Sequence, residues 1–344
     1  MQMTPAERVA AVLSGKEFDV CPAVSITSVA TVSAMERVHT FFPAAHINAQ
    51  DMAELAAAGH DFFGFDSVAP YFSIHLEASA LGAQIDWGDR YHMPRVRSVM
   101  LESLEDLNVS GDALRRREMQ QLLKAIQILH RRYAGNVPVI GKVIGPWTLA
   151  YHLRGVENLL IDTILNPEET ARAIEVLAEV PIQFAQAQFD AGAQVVVWAD
   201  HVTSDLVSAR LYEEIVLPVH RKAMQRLRGC GTVILHTCGN VADRLALFAD
   251  AGFPCFHMDS RNGIADAVRR VGDRMQIVGC VNNPVTLSQG TRGRVRREVE
   301  KNIESGVRMI APECAIPMNV SADNLRELVE TAHRYSYDRV TRRL

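Results

Sequence analysis

Short apolar runs alternate with longer stretches of helical period along most of the chain. "PAVSITS" (22–28), "DFFGFD" (61–66), "VPVIGKVIG" (137–145) and "AQVVVWAD" (193–200) read as strands. "TVILH" (232–236), "CFHMD" (255–259), "MQIVGCV" (275–281) and "VRMIAP" (307–312) follow in the same manner. The runs are continuously apolar rather than alternating, the pattern of strands buried on both faces of a parallel sheet. The segments between them carry helix-start signals. Thr4, Pro5 and Glu7 make a capping box with proline at the first helical position, and Asn166 precedes Pro167 and two acids. Ser321 opens "SADNLRELVETAHRY" in the same way. Pro181 falls inside the helical pattern begun at Pro167 and is expected to kink or divide it.

Eight strand–helix alternations predict an α/β protein: a single (β/α)8 TIM barrel with an N-terminal helical extension, residues 1–344 forming one domain. An open doubly wound sheet is the rival arrangement. One segment breaks the rhythm. "HLEASALGAQIDWGDRYHMPRV" has turn signals around Asp86–Asp89 and no helical period, and reads as a hairpin excursion near the barrel mouth.

Composition narrows the function classes. The 344 residues carry a net charge of −4 and 48% hydrophobic residues, with no long basic run, which argues against a nucleic-acid partner. No run approaches the roughly 18 apolar residues of a membrane span, and "MQMTPAERVAAVL" lacks the apolar stretch of an export signal. The expectation is a soluble, cytoplasmic protein without a membrane partner. Its six cysteines, at 21, 230, 238, 255, 280 and 314, are then thiols, metal ligands or core residues rather than disulfides.

In a barrel, chemistry sits where the strands end. His236 and Cys238 end the fifth run in "VILHTCGN", and Cys314 ends the eighth in "MIAPECAIP". One imidazole and two thiolates suit zinc, and three protein ligands without an evident fourth leave a position for substrate. Spacing alone also fits packed residues: cysteine is often a small buried hydrophobe, and a strand-end histidine often bonds a carbonyl. Asp200, ending "VVVWAD", points to the mouth as a partner for His236 or a substrate contact, or caps the next helix.

The chain resembles the uroporphyrinogen decarboxylase superfamily, and within it the methylcobamide:coenzyme M methyltransferases. The resemblance lies in "VIGPWTLA" (143–150), "ILHTCGN" (234–240), "VGCVNNPVTLSQGT" (278–291) and "APECAIP" (311–317), together with residues 52–88. It implies zinc held by His236, Cys238 and Cys314, activating a small thiol such as coenzyme M. It also implies methylcobalamin as methyl donor, a corrinoid carried by a partner protein. A decarboxylase would resemble P-x-W-x-M-R-Q-A-G-R near its N-terminus, with arginines for substrate carboxylates. The corresponding "CPAVSITSVATVSAME" has no arginine, so tetrapyrrole decarboxylation stands as the alternative, beside methyl transfer to another acceptor such as a folate.

Asn282 and Asn283 follow the seventh run and are candidate contacts to substrate or corrin, or a turn. Asp66 falls near the essential aspartate of the decarboxylases. Glu313 is a candidate spare ligand, Asp259 a supporting acid, and Cys280 a packed thiol. No cation in these motifs presents itself for the sulfonate of coenzyme M.

Overall fold

The computed structural model describes residues 2–109 and 111–341. Six parallel strands form one sheet in sequence order: β3 (Ile140–Ile144), β4 (Val195–Ala199), β5 (Thr232–Thr237), β6 (Cys255–Met258), β7 (Gln276–Val281) and β8 (Ile310–Pro312). Helices connect them, packing residues such as Phe184, Leu227 and Val299 onto the sheet, so that β3 is buried throughout. That double-sided burial is why these runs are continuously apolar.

The first two expected strands are corrected. Residues 22–28 contribute one bridge, Ala23 to Ile310, flanked by Val24 N–H to Ile310 O at 2.8 Å. Pro22 has no N–H with which to extend the ladder. Residues 61–66 are not a strand: the helix Ala49–Asp61 runs into them, and the backbone of Phe62 still donates to Ala58. Pairing resumes at Val68, bridged to Val139, while Asp66 N–H reaches Ala23 O at 2.7 Å. These bonds run from β8 through residues 22–24 and 66–68 to the start of β3.

Between residue 68 and β3, Ile85–Asp86 (β1) pairs antiparallel with Arg95–Val96 (β2), where the hairpin was expected. The capping box at Thr4 and the Ser321 cap are both formed. Asn166, by contrast, makes no side-chain cap. The helix Pro167–Leu177 gives way to a second, Glu179–Asp190, at Ala178. Pro181 explains the division, because it has no N–H for the carbonyl of Leu177 four residues earlier. No helix among the described residues is long and apolar enough to cross a membrane.

Register fixes what shares a level. Ile144, Ala199, His236 and His257 lie side by side across β3 to β6. Two residues earlier, Lys142, Val197 and Ile234 form the next level on the same face.

Candidate metal centre

His236 is the penultimate residue of β5, Cys238 lies just past its end, and Cys314 follows β8. Their donor atoms all lie within 4.8 Å of one another. His236 Nε2 is 3.1 Å from Cys238 Sγ, which is 3.0 Å from Cys314 Sγ. The carbonyl of His257 lies 3.3 Å from His236 Nδ1. A carbonyl only accepts, so Nδ1 carries the proton and Nε2 keeps its lone pair for the cluster. Cys314 is held well below the usual thiol range by the hydrogen bond from Cys238, against the effect of burial, with His236 adding to the drop. Cys238 is correspondingly pushed up, first by Cys314 and then by burial.

The backbone turns sharply after Cys238. Gly239 has φ of 90°, and a Cβ there would stand 2.5 Å from Thr203 Oγ1. Its N–H donates to Asp259 Oδ2 at 2.8 Å, so Asp259 holds this turn. Glu313 performs the same service beside Cys314. It accepts from the backbone of Asn283 at 2.8 Å and of Ser260 at 3.1 Å, and so is engaged rather than spare. Asn282 caps the following turn through Val285 N–H at 2.7 Å and also reaches Ser260. Asn283 donates to Ala315 O at 2.8 Å. Neither asparagine lines the cavity at the cluster; both brace the chain around Cys314.

Asp200 does line that cavity. Its carboxylate accepts from His220 Nε2 at 2.9 Å, and from the Thr148 backbone and hydroxyl at 2.8 and 2.9 Å, not from His236. Its link to His236 runs through the main chain, Asp200 N–H to His236 O at 3.0 Å. Gly145 makes room: a Cβ there would fall 2.3 Å from Asp200 Cγ. Asp66 lies far from these strand ends, where residues 22–24 and 66–68 enter the sheet. It is buried under Arg8 Nη1 at 2.6 Å and His333 Nε2 at 2.7 Å, which consumes its charge. Cys280 is buried on β7, outside the cluster.

The cavity measures about 350 Å³ and is bordered by His236, Cys238 and Cys314 on one side and by Met93 and Pro94 of the hairpin on another. Tyr151, His75 and His201 also line it. Burial lowers both of these histidines, leaving the imidazoles neutral near pH 7. The residue that the motifs did not single out is Lys142, in the middle of β3. The residue is 4% exposed and belongs to the lining. It stands 4.7 Å from the centre of the Tyr71 ring and donates to Thr27 O at 3.4 Å. The signal was present: a lone charge inside the apolar run "VPVIGKVIG". Tyr71 itself bonds Glu77, which also accepts from Ile144 N–H at 2.8 Å.

The sequence profile of the family described as Uroporphyrinogen decarboxylase (URO-D) matches residues 4–335. A methylcobamide:CoM methyltransferase of Methanosarcina acetivorans is 32% identical over 341 residues, covering 98% of this chain and 99% of that protein. A methylated-thiol–coenzyme M methyltransferase of Methanosarcina mazei is 30% identical, over 95% of this chain and 89% of its own length. Among solved structures, a methyltransferase from Methanosarcina mazei superposes with a TM-score of 0.92 at 29% identity, covering 97% of this chain and 99% of that one. The chain therefore belongs to the uroporphyrinogen decarboxylase family, within its methylcobamide:coenzyme M methyltransferase branch.

Proposed function

We propose that this protein is a methyltransferase that moves a methyl group from a methylated corrinoid, carried by a partner protein, to a small thiol of the coenzyme M kind. We read the chain as one (β/α)8 barrel, its ring completed through the bridges at Ala23 and Val68. The observation that carries the reading is the meeting of His236, Cys238 and Cys314 within 4.8 Å at the edge of a cavity. The donor set fits zinc: one imidazole with a free Nε2, two thiols, and no fourth protein ligand among the described residues. These three residues would hold the ion, and zinc, when bound, supplies a Lewis acid that keeps a thiol deprotonated at neutral pH.

The chain's own groups prepare that chemistry. The carbonyl of His257 fixes the His236 ring, while Asp259 and Glu313 hold the turns that carry the two cysteines. Such supporting hydrogen bonds orient ligands and tune their basicity. In the transfer, the thiolate sulfur bonds the methyl carbon, the carbon–cobalt bond breaks, and its electron pair stays with cobalt. The thiol proton leaves to solvent. Among the described cavity residues there is no arginine, and a tetracarboxylate would meet one lysine only, which counts against decarboxylation.

The test is metal content by mass spectrometry, with His236→Ala, Cys238→Ala and Cys314→Ala beside the wild type, followed by loss of methylcobalamin's absorbance on adding 2-mercaptoethanesulfonate. One zinc per chain, lost in the variants, with thiol-dependent demethylation, is the expected result. Protein that stays metal-free after incubation with zinc would refute it. Demethylation by a tetrahydrofolate but by no thiol would move the acceptor to the folate class.

A further inference from the structure

We infer that Lys142 is the specificity-determining residue of this cavity: it anchors an anionic group at the far end of a short thiol whose sulfur lies at the His236, Cys238 and Cys314 cluster. The inference rests on the thiol-acceptor reading above and adds the residue that recognises the acceptor's anionic end, a sulfonate or a carboxylate.

Lysine has three donors and carries a full charge, so a buried ammonium calls for charged or multiple polar partners. Lys142 has few. Its one hydrogen bond, to Thr27 O, is long at 3.4 Å, and the Tyr71 ring offers only its face. No carboxylate oxygen comes within 4.0 Å of its nitrogen among the described residues; Glu77, the nearby acid, is engaged by Tyr71 and the Ile144 backbone. Burial pushes the amine down to about 8, offset by Cys314, Glu77 and Cys238, so it is still mostly protonated at neutral pH. Lys142 borders a cavity in which it is the one Lys or Arg among the described lining residues.

Register supplies the placement. The main chain of Lys142 lies two residues below the level of His236 on the same face of the sheet, and both residues border the one cavity. The wall of the cavity between the two ends is apolar at Ile144 and Ala199, as befits a short methylene chain.

The test uses protein reconstituted with cobalt(II), whose absorption reports sulfur binding at the metal without turnover. Wild type and Lys142→Met are titrated with 2-mercaptoethanesulfonate, 3-mercaptopropionate and the neutral 2-mercaptoethanol. A charge-assisted hydrogen bond corresponds to about a 10- to 100-fold preference of wild type for an anionic thiol. The substitution should shrink the anionic-to-neutral affinity ratio to within about threefold, most of the change falling on the anionic thiols. A difference between the two anionic thiols in wild type tells sulfonate from carboxylate. Ethanesulfonate, which has no thiol, should compete with 2-mercaptoethanesulfonate in wild type, a result that holds whether or not the variant folds.

Equal affinities for anionic and neutral thiols in wild type would overturn the anchor while leaving thiol activation intact. So would a variant that weakens all three thiols alike, because Lys142 would then only balance the charge of the metal ligands. If no thiol perturbs the cobalt spectrum of wild type, the thiol-acceptor reading falls, and the anchor with it.

Discussion

A charge kept in an apolar wall for the sake of a ligand should weaken the free protein, and Lys142 allows that cost to be worked out. Its amine falls from the ordinary 10.5 to about 8 on burial, a change of about 3 kcal/mol between the two protonation states. The sign follows from proton binding. Between pH 8 and 10.5 the unfolded chain holds this proton more tightly than the folded one, so wild-type stability gains from this group as pH rises. Below pH 8 the full cost is present. Lys142→Met, similar in size and apolar, removes the cost but also the bond to Thr27 and the attraction to Cys314, Glu77 and Cys238. The net expectation is a stabilisation of about 1–3 kcal/mol at pH 7. For a chain of 344 residues this is about 1–4 °C in Tm. Differential scanning calorimetry of metal-free, reduced protein at pH 7 and 10.5 reads it directly. The variant's advantage should be largest at pH 7 and gone at 10.5. A variant less stable than wild type at pH 7, or a difference that ignores pH, would refute the idea that the lysine is held at a cost.

Other consequences are as direct. Gly239→Ala forces a side chain into a left-handed turn and against Thr203 Oγ1, and should cost about 1–3 kcal/mol. Because Cys238 moves with the turn, zinc affinity should also fall by at least about tenfold, measured by chelator competition; unaltered affinity would show that the turn does not place the thiol. Glu327 is the acid-side counterpart of Lys142. Burial alone would raise its carboxyl, but hydrogen bonds from Arg296, Arg292 and Thr331 bring it down to about 2. Its folded pKa lies below the unfolded 4.5, so the stabilisation is present above pH 4.5 and lost as pH falls toward 2. With both arginines half-exposed, Glu327→Gln should cost only about 1–2 kcal/mol at pH 7 in urea unfolding, the gap closing below pH 4.5; a constant gap would assign the loss to packing instead.

The strands of the parallel sheet were legible because they are buried on both faces, which writes an uninterrupted apolar run. The two that failed show the limit of that signal. "DFFGFD" carries three aromatic residues and reads like a strand, yet its start finishes a helix turn, and Phe63 and Phe65 pack in the core without pairing there as a strand. The meeting of His236, Cys238 and Cys314 is legible because a histidine and a cysteine two apart at a strand end have few uses, and a third soft donor ends another strand. Their supports are not. Asp200, Asn282 and Asn283 were noticed as polar residues in the right loops, but a sequence does not say whom a side chain will bond. The Asp200 side chain bonds His220, twenty positions on, that of Asn282 bonds Val285 and Ser260, and that of Asn283 bonds Ala315. The partners of Asp66, Arg8 and His333, are equally illegible, lying 58 and 267 residues away.

Lys142 is hard to read from the sequence for a different cause. Strand periodicity is scored on apolar residues, and one lysine in nine positions reads as noise within the pattern. In three dimensions it is the feature that breaks the rule of a dry interior. The sheet register then gives the deviation a meaning. A parallel sheet stacks inward-facing residues in levels, so the main chain of a residue one level below the strand ends lies under whatever the strand ends hold. With soft donors at the strand ends and an ammonium rooted one level below, the cavity has two unlike poles. A ligand satisfying both must itself be unlike at its two ends, soft at one and anionic at the other. A neutral thiol leaves the lower pole unpaired, and an anion without sulfur leaves the upper one, so specificity in this cavity arises from the cost of the pole left empty.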